Sequence, residues 1–378
     1  MSQHRILIVV THLLGSGHLS RALTLARAFV QEGHQVHVVS GGMPAKQLDA
    51  TGVNLVQLPP LRSDGTDFTR LLAIDGTVAE PAFYEDRQSL LLKTLQDVRP
   101  DVIITELFPF GRRSLRAEFQ ALLEAATELA PRPRIFASIR DILAPPSKPR
   151  KITFADQLIA RFYDGVLVHS DPKVVPLQLS WPVSDTLNSK LHYTGFVAPP
   201  LPKVTKPALG EGTILVSAGG GSVGDTLYKA ALEAAQNDAR RWHLLIGGHD
   251  ANQRIDGMRK NASDNVILET ARPDFREMLQ CADASISLCG YNTAMDVLQT
   301  GLPAVMVAFD DGAEVEQSLR ANALANLPRI ETCALSDVTS SALKEALAQV
   351  IKDQRSRSTS FGFDGATQTV RICTETLS

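Results

Sequence analysis

Arg5–Ser40 reads RILIVVTHLLGSGHLSRALTLARAFVQEGHQVHVVS. Arg5 to Val10 is a short apolar, β-branched run bounded by polar residues. A glycine-bearing loop follows, Gly15-Ser16-Gly17-His18. Leu19, Ala22, Leu23, Ala26, Phe29 and Val30 then recur at helical spacing, and Gly33 supplies a stop. Val36 to Val39 reads as a second strand. Strand, helix, strand in this order implies a right-handed parallel unit, so the expected fold class is α/β.

The same grammar continues outward. Val53 to Leu58, Val102 to Thr105, Ile135 to Ile139 and Gly165 to His169 read as strands, with helices over Ser89 to Val98 and Ser114 to Leu129. Prolines 199, 200, 202 and 207 then crowd into Val197 to Gly212, which reads as a linker. The pattern restarts beyond it. Thr213 to Ser217 is a strand, Gly219 to Gly221 a glycine loop and Asp225 to Ala235 a helix. Strands are expected again at Trp242 to Ile246, Asn265 to Leu268, Ala284 to Leu288 and Ala304 to Val307. A chain of 378 residues exceeds one ordinary core. The expectation is two doubly wound, Rossmann-like halves. They are an N-terminal domain over 1–198, a linker over 199–212 and a C-terminal domain over 213–355. A last segment, 356–378, should pack back on the N-terminal domain after a bend at Arg355 to Ser360. In such sheets ligands lie beyond the carboxyl ends of the strands.

Composition removes several classes of function. A net charge of -3 gives no general pull toward nucleic acid, and Lys148, Arg150 and Lys151 sit among prolines as a solvated loop. The four cysteines, Cys281, Cys289, Cys333 and Cys373, form no C-x-x-C pair, so neither zinc-ligand spacing nor a disulfide framework is present. A reducing cytoplasm fits that usage. Ile6 to Val10 is too short for a signal-peptide core, and no run reaches the roughly 18 apolar residues of a membrane span. Peripheral contact with a membrane stays open.

Gly219-Gly220-Gly221-Ser222-Val223-Gly224 fits G-x-G-x-x-G between a strand and a helix. Glycines there let backbone N–H groups approach an anion, aided by the helix start. The structural alternative is a tight turn for helix–sheet packing. A dinucleotide site would place Asp or Glu near the end of the next strand. That strand ends in Gly247-Gly248, and in the first half the corresponding strand ends at Ser40. Both argue against a nicotinamide cofactor. No G-x-x-x-x-G-K-[ST] occurs, which argues against a P-loop ATPase.

The most specific stretch is Leu288-Cys-Gly-Tyr-Asn-Thr-Ala-Met-Asp-Val-Leu-Gln-Thr-Gly-Leu-Pro303, followed by Phe309-Asp-Asp-Gly-Ala-Glu-Val-Glu-Gln317. It resembles the nucleotide-sugar box of GT-B glycosyltransferases, both the C-G-W-N-S-x-x-E form of plant-type UDP-sugar transferases and the matching segment of the bacterial lipid II-forming N-acetylglucosamine transferases. The order of features over the whole chain agrees with a family 28-like glycosyltransferase. The resemblance implies two Rossmann-like domains with an interdomain cleft and a UDP-sugar donor. In it, Gly290 lets the backbone approach the diphosphate, and Asn292 and Thr293 open the next helix, where N–H groups suit phosphate oxygens. Asp296 holds the ribose hydroxyls, and Glu316 with Gln317 contacts ribose or the donor sugar. Phe275 and Arg272 fall where the family lines the uracil pocket. Read alone, Asn292 and Thr293 are also helix-capping residues, and Asp296 a solvated helix charge. The plant-type box begins with His where this chain has Leu288. Diphosphate binding therefore shifts to Gly219, Gly220, Gly221 and Ser222 with Thr293. GT-B transferases generally need no metal, so no metal and no cofactor are expected, and Asp310-Asp311 is not read as a metal site.

Sugar transfer needs a base for the acceptor hydroxyl and stabilisation of the departing diphosphate. His18, with Gly17 before it, is the first candidate. It follows the first strand, the family carries His there, and a helix N-terminus keeps an imidazole neutral. Glu106 emerges from the apolar strand Val102 to Thr105, and Arg140-Asp141 from Ile135 to Ile139. Glu106, Arg140 and Asp141 are placed for a base, for the carboxylate that orients His18 or for an acceptor clamp, and Glu106 and Asp141 are the catalytic candidates beside His18. His12, Arg112 and His169 are unranked. The expected activity is an inverting transfer from a UDP-sugar (a UDP-N-acetylhexosamine or UDP-hexose) to an acceptor hydroxyl on a glycan, lipid or small molecule. A UDP-sugar hydrolase or 2-epimerase, or a non-catalytic nucleotide-sugar binder, are the alternatives on the same fold.

Overall fold

Alternating apolar side chains make β1 (Arg5–Val10) a central strand with two dry faces. Leu7 and Val9 enter one core layer, and Ile6, Ile8 and Val10 the other. The chain continues through α1 (Gly17–Gln31), β2 (Gln35–Gly42), β3 (Asn54–Asp64), β4 (Asp67–Leu72), α2 (Pro81–Val98) and β5 (Val102–Glu106). Then come α3 (Arg116–Thr127), β6 (Arg134–Arg140), α4 (Pro149–Phe162), β7 (Gly165–His169), the single turn α5 (Asp185–Asn188) and β8 (Leu191–Tyr193). These strands form one sheet in the order β4-β3-β2-β1-β5-β6-β7-β8, parallel except where β4 turns back on β3.

In this computed structural model the described residues are 2–65, 67–205, 210–236, 238–310, 315–353 and 362–375, with only the backbone described at 67–69. They divide into two compact units, 1–197 with 361–378, and 198–360.

The second unit repeats the plan with β9 (Thr213–Ser217), α6 (Asp225–Ala235), β10 (Arg241–Ile246), α7 (Ala251–Arg259), β11 (Val266–Thr270) and α8 (Phe275–Cys281). It ends with β12 (Ala284–Leu288), α9 (Tyr291–Thr300), β13 (Ala304–Ala308), α10 (Glu316–Leu324), β14 (Ile330–Ala334) and α11 (Ser340–Lys352). Its strand order is β11-β10-β9-β12-β13-β14, all parallel. The last helix, α12 (Gly365–Thr374), lies on α1 in the first unit, with Val370 and Cys373 in the same core as Leu23 and Phe29. Arg134 fastens it by donating to the carbonyls of Ile372 and Cys373 at 3.1 and 3.3 Å.

Both sheets reverse direction at one place, between β1 and β5 and between β9 and β12. At such a switch point the two following loops diverge and leave a crevice at the carboxyl edge. The described part of the proline-rich stretch differs from a free linker. Arg276 on α8 donates to the carbonyls of Pro199 and Pro200 at 2.7 and 3.0 Å. Gln280 donates to that of Pro202 at 2.9 Å, and Glu277 receives Thr205 N–H at 2.8 Å. Proline cannot enter a ladder, so its segment's carbonyls are satisfied by helix side chains and residues 199–205 belong to the second unit. Residues 206–209 and the expected bend at 355–360 lie outside the described residues. The β3–β4 hairpin, β8 and β14 were not expected from sequence. Among the described residues no helix is long and apolar enough to cross a membrane.

Candidate active site

At the switch point of the first unit, the first turn of α1 and the end of β5 bring His18 and Glu106 together. His18 Nδ1 lies 2.9 Å from Glu106 Oε1. Arg21 Nη2 also approaches Nδ1, at 3.2 Å; the shorter contact is to the carboxylate, which only accepts, so Nδ1 donates to Glu106 and Nε2 keeps its lone pair. Arg21, one helical turn after His18, also donates to Glu106 Oε1. Ser138 Oγ donates to Glu106 Oε2 at 2.7 Å. The carboxylate is thus gripped by an imidazole, a guanidinium and a hydroxyl while only 2% exposed. The residue after it, Leu107, holds φ at 69°. That left-handed backbone costs a branched side chain about 1 kcal/mol or more.

Burial lowers the basicity of His18 to a pKa of about 3, against the opposing pull of its Glu106 hydrogen bond. The Arg112 and Arg21 charges add to the lowering. Glu106 is itself held far below the usual carboxylate range. Burial opposes ionisation there, and Arg21, His18 and Ser138 overcome it. Neutral imidazole beside ionised carboxylate is the arrangement of a general base with its orienting anion.

The other N-terminal candidates sit differently. Asp141 is buried, and its Oδ1 accepts Ile142 N–H at 2.7 Å. Glu106 is therefore the carboxylate hydrogen-bonded to His18 Nδ1. Arg140 Nε donates to Ile142 O at 3.1 Å. His12 Nε2 lies 2.9 Å from Met43 O, with its basicity lowered by burial, and Arg112 Nε donates to Thr11 O. His169 is fully buried, with Nε2 2.9 Å from Ser138 Oγ.

In the second unit the loops after β9, β10, β12 and β13 share one carboxyl edge. Gly219 sits at φ 82°, and a Cβ at Gly219 or Gly220 would meet nothing within 4 Å. Packing therefore does not require glycine at 220, which has neither a positive φ nor anything near where its Cβ would stand. Its backbone borders open space. Packing does require the next pair. A Cβ at Gly247 would lie 2.2 Å from Gly219 O, and one at Gly248 2.1 Å from Ser222 Oγ. Gly221 is equally open, with only Val223 Cγ2 at 3.9 Å. Arg254 braces these loops, donating to Gly247 O at 3.0 Å and Val223 O at 2.8 Å. Ser222 Oγ donates to Asp250 Oδ1 at 2.5 Å.

Gly290 is the N-cap of α9 and also borders open space, so the N–H groups of Tyr291, Asn292 and Thr293 begin the helix there. Asn292 is exposed and Thr293 half-buried. Asp296 accepts Arg276 Nε at 2.8 Å, and burial raises its pKa against that pairing. Arg272 is gripped by Asp274 at 2.8 Å and Glu269 at 3.1 Å, beside half-buried Phe275. Gln317 Oε1 receives Phe309 N–H at 3.2 Å, and Glu316 opens α10 beside it. Asp311 lies outside the described residues. Among those described, no three His, Cys, Asp or Glu side chains gather for a metal.

Sequence reasoning missed Arg21, Ser138, Arg276, Arg254 and Arg320. Arg320 is 1% exposed and donates to Cys289 O at 3.0 Å, with its guanidinium 5.6 Å from the Tyr291 ring centre. It puts a buried positive charge behind the start of α9.

Residues 213–362 match the glycosyltransferase family 28 C-terminal domain. An uncharacterised glycosyltransferase of Methanosarcina acetivorans is 22% identical over 327 residues, covering 81% of this chain and 80% of that protein. The calicheamicin glycosyltransferase CalG4 superposes with a TM-score of 0.64 at 16% identity over 100% of both chains. Arabidopsis thaliana UGT89C1 complexed with UDP-L-rhamnose gives a TM-score of 0.60 at 12% identity, over 99% of this chain and 95% of that one. These structures share the GT-B architecture of two parallel α/β domains.

Proposed function

We propose that this chain, a family 28-like GT-B glycosyltransferase, transfers a hexosyl group from a UDP-sugar to an acceptor hydroxyl with inversion and without a metal. The observation that carries this reading is the His18 Nδ1–Glu106 hydrogen bond of 2.9 Å, which presents a neutral Nε2. That nitrogen takes the proton of the acceptor hydroxyl. The acceptor oxygen then bonds to the anomeric carbon as the bond from that carbon to the β-phosphate oxygen breaks, and UDP leaves with the electron pair. Imidazolium formed at His18 is stabilised by ionised Glu106.

The second unit supplies the other half of the chemistry. The open backbone at Gly219 to Gly221 and the α9 start at Gly290 to Thr293 offer N–H groups and a helix dipole to the diphosphate. They stabilise the leaving group without a cation. Uridine as the base rests on the box resemblance and on a structural neighbour that carries UDP-L-rhamnose.

Nucleotide release from UDP-, GDP- and dTDP-sugars, each with and without cell-extract acceptors, tests the reading. Acceptor-dependent UDP release, reduced about a hundredfold or more in His18→Ala and unaffected by EDTA, is expected. Full release without acceptor would replace transfer by hydrolysis or epimerisation. A preference for GDP or dTDP would remove uridine, and activity lost to EDTA and restored by Mg2+ would remove metal independence.

A further inference from the structure

Behind Glu106, away from His18, polar side chains continue across the carboxyl edge of the first sheet. Glu106 ends β5, Ser138 lies on β6, His169 ends β7 and Thr194 follows β8. Ser138 Oγ is 2.7 Å from Glu106 Oε2 and 2.9 Å from His169 Nε2. His169 Nδ1 is 2.9 Å from Thr194 Oγ1. All four residues are buried. Buried polar atoms in such number are costly unless every one is satisfied.

We infer that Thr194, His169 and Ser138 form a one-way hydrogen-bond chain that fixes Glu106 and, through it, the tautomer of His18, so that these three act as positioning residues for the base. The inference rests on His18 being that base.

The direction follows from counting hydrogens. Ionised Glu106 can only accept, so the single Ser138 hydroxyl hydrogen points to it. Ser138 Oγ must then accept from His169, which places that ring's hydrogen on Nε2. Burial keeps His169 neutral, lowering its pKa to about 3, with Arg21 adding to the lowering and Glu106 opposing it. Its Nδ1 therefore accepts, and Thr194 Oγ1 is the donor in reach. Thr194 Oγ1 also lies 2.8 Å from Gly195 O and 3.4 Å from Val168 O. Were its hydrogen spent there instead, Nδ1 and Thr194 Oγ1 would face each other without a hydrogen. One orientation puts a hydrogen in each of the three contacts that link Thr194, His169, Ser138 and Glu106, and in it each donor points toward Glu106. With Arg21 on the near side, the carboxylate cannot rotate away from His18 Nδ1–H.

The test reads the resting protein, so it does not depend on the substrate being known. Full-length protein with 15N-histidine is examined by long-range 1H–15N correlation, with His18→Gln and His169→Gln used to assign the two rings. Hydrogen on Nε2 alone in His169 and on Nδ1 alone in His18 is expected. In Ser138→Ala, His18 should become a mixture of both tautomers. Where turnover is measured, kcat should fall about tenfold at unchanged donor KM, the worth of one hydrogen bond to a charged acceptor. Hydrogen on Nδ1 of His169, or on both of its nitrogens, overturns the chain. So does a pure Nδ1–H tautomer of His18 in folded Ser138→Ala. If Ser138→Ala does not fold, the wild-type tautomers alone decide. Absence of turnover would count against the proposed activity and leave the tautomer result standing.

Discussion

Replacing Glu106 by Gln removes one charge while keeping an oxygen that accepts His18 Nδ1–H. In the proposed reaction His18 becomes imidazolium, its Nδ1 2.9 Å from the carboxylate oxygen. With charge centres about 4 Å apart and an effective dielectric of about 20, the attraction is roughly 4 kcal/mol. At about 1.4 kcal/mol per factor of ten, its loss slows the chemical step about a thousandfold. Arg21 makes the loss larger, because its charge then faces the imidazolium unopposed. Water entering the site makes it smaller, so a fall in kcat of about 10²–10³-fold is expected, with donor KM little changed. Folding is a separate effect. Arg21 would be left as a buried charge without its carboxylate, a loss of about 3–5 kcal/mol. Urea unfolding therefore accompanies initial-rate measurements at saturating donor, on Glu106→Gln alone and combined with Arg21→Met. The double variant should recover most of the stability and none of the rate. Folded Glu106→Gln turning over within tenfold of wild type would refute the orienting and stabilising role assigned to this carboxylate.

Acid should destabilise the first unit early. His18 and His169 have folded pKa values lowered from 6.5 to about 3. Only the unfolded chain takes up their protons as pH falls from about 6.5 to about 3, and stability drops through that window. Thermal melts from pH 7 to pH 4 should show this slope, flattened in His18→Gln and His169→Gln, and a flat wild-type profile would contradict it. Gly220→Ala and Gly290→Ala meet open space. They should leave the stability read from thermal melts within about 0.5 kcal/mol of wild type while raising donor KM, and an unchanged KM would remove them from the donor site. Gly247→Ala drives a Cβ to 2.2 Å from Gly219 O and should cost about 1–3 kcal/mol by the same melt. Arg320→Met strips a donor from buried Cys289 O and should cost about 1–3 kcal/mol in urea unfolding.

Much of the scaffold was legible because it is locally encoded. Short strand runs, continuous apolar in Gly165–His169 and alternating in Ala284–Leu288, were read with their observed ends, and α6 spans the expected Asp225–Ala235. What escaped was structure made by partners far along the chain. β4 exists by pairing with β3, and β14 by pairing with β13. The proline-rich stretch reads as a linker until α8 is beside it. The box residues were visible by type and spacing, yet Arg276 on Asp296 was not, because that pair joins α8 to α9 across 20 residues of sequence.

The site around His18 divides along the same line. Arg21 was within reach of sequence reasoning, since it stands three residues after His18 and shares its helical face. Its meaning was not, because nothing local says that Glu106, 85 positions on, receives it. Ser138, His169 and Thr194 are separated by 31 and 25 positions. Each looks like an isolated polar residue at the end of an apolar strand. The order β5-β6-β7-β8 turns these three residues and Glu106 into neighbours at or near the carboxyl ends of their strands. A parallel sheet brings the carboxyl ends of successive strands to one edge. Polar residues at those ends therefore form a column whose members no spacing rule connects. The signal lies in their common place at the ends of consecutive strands, and it becomes readable once the strand order is known.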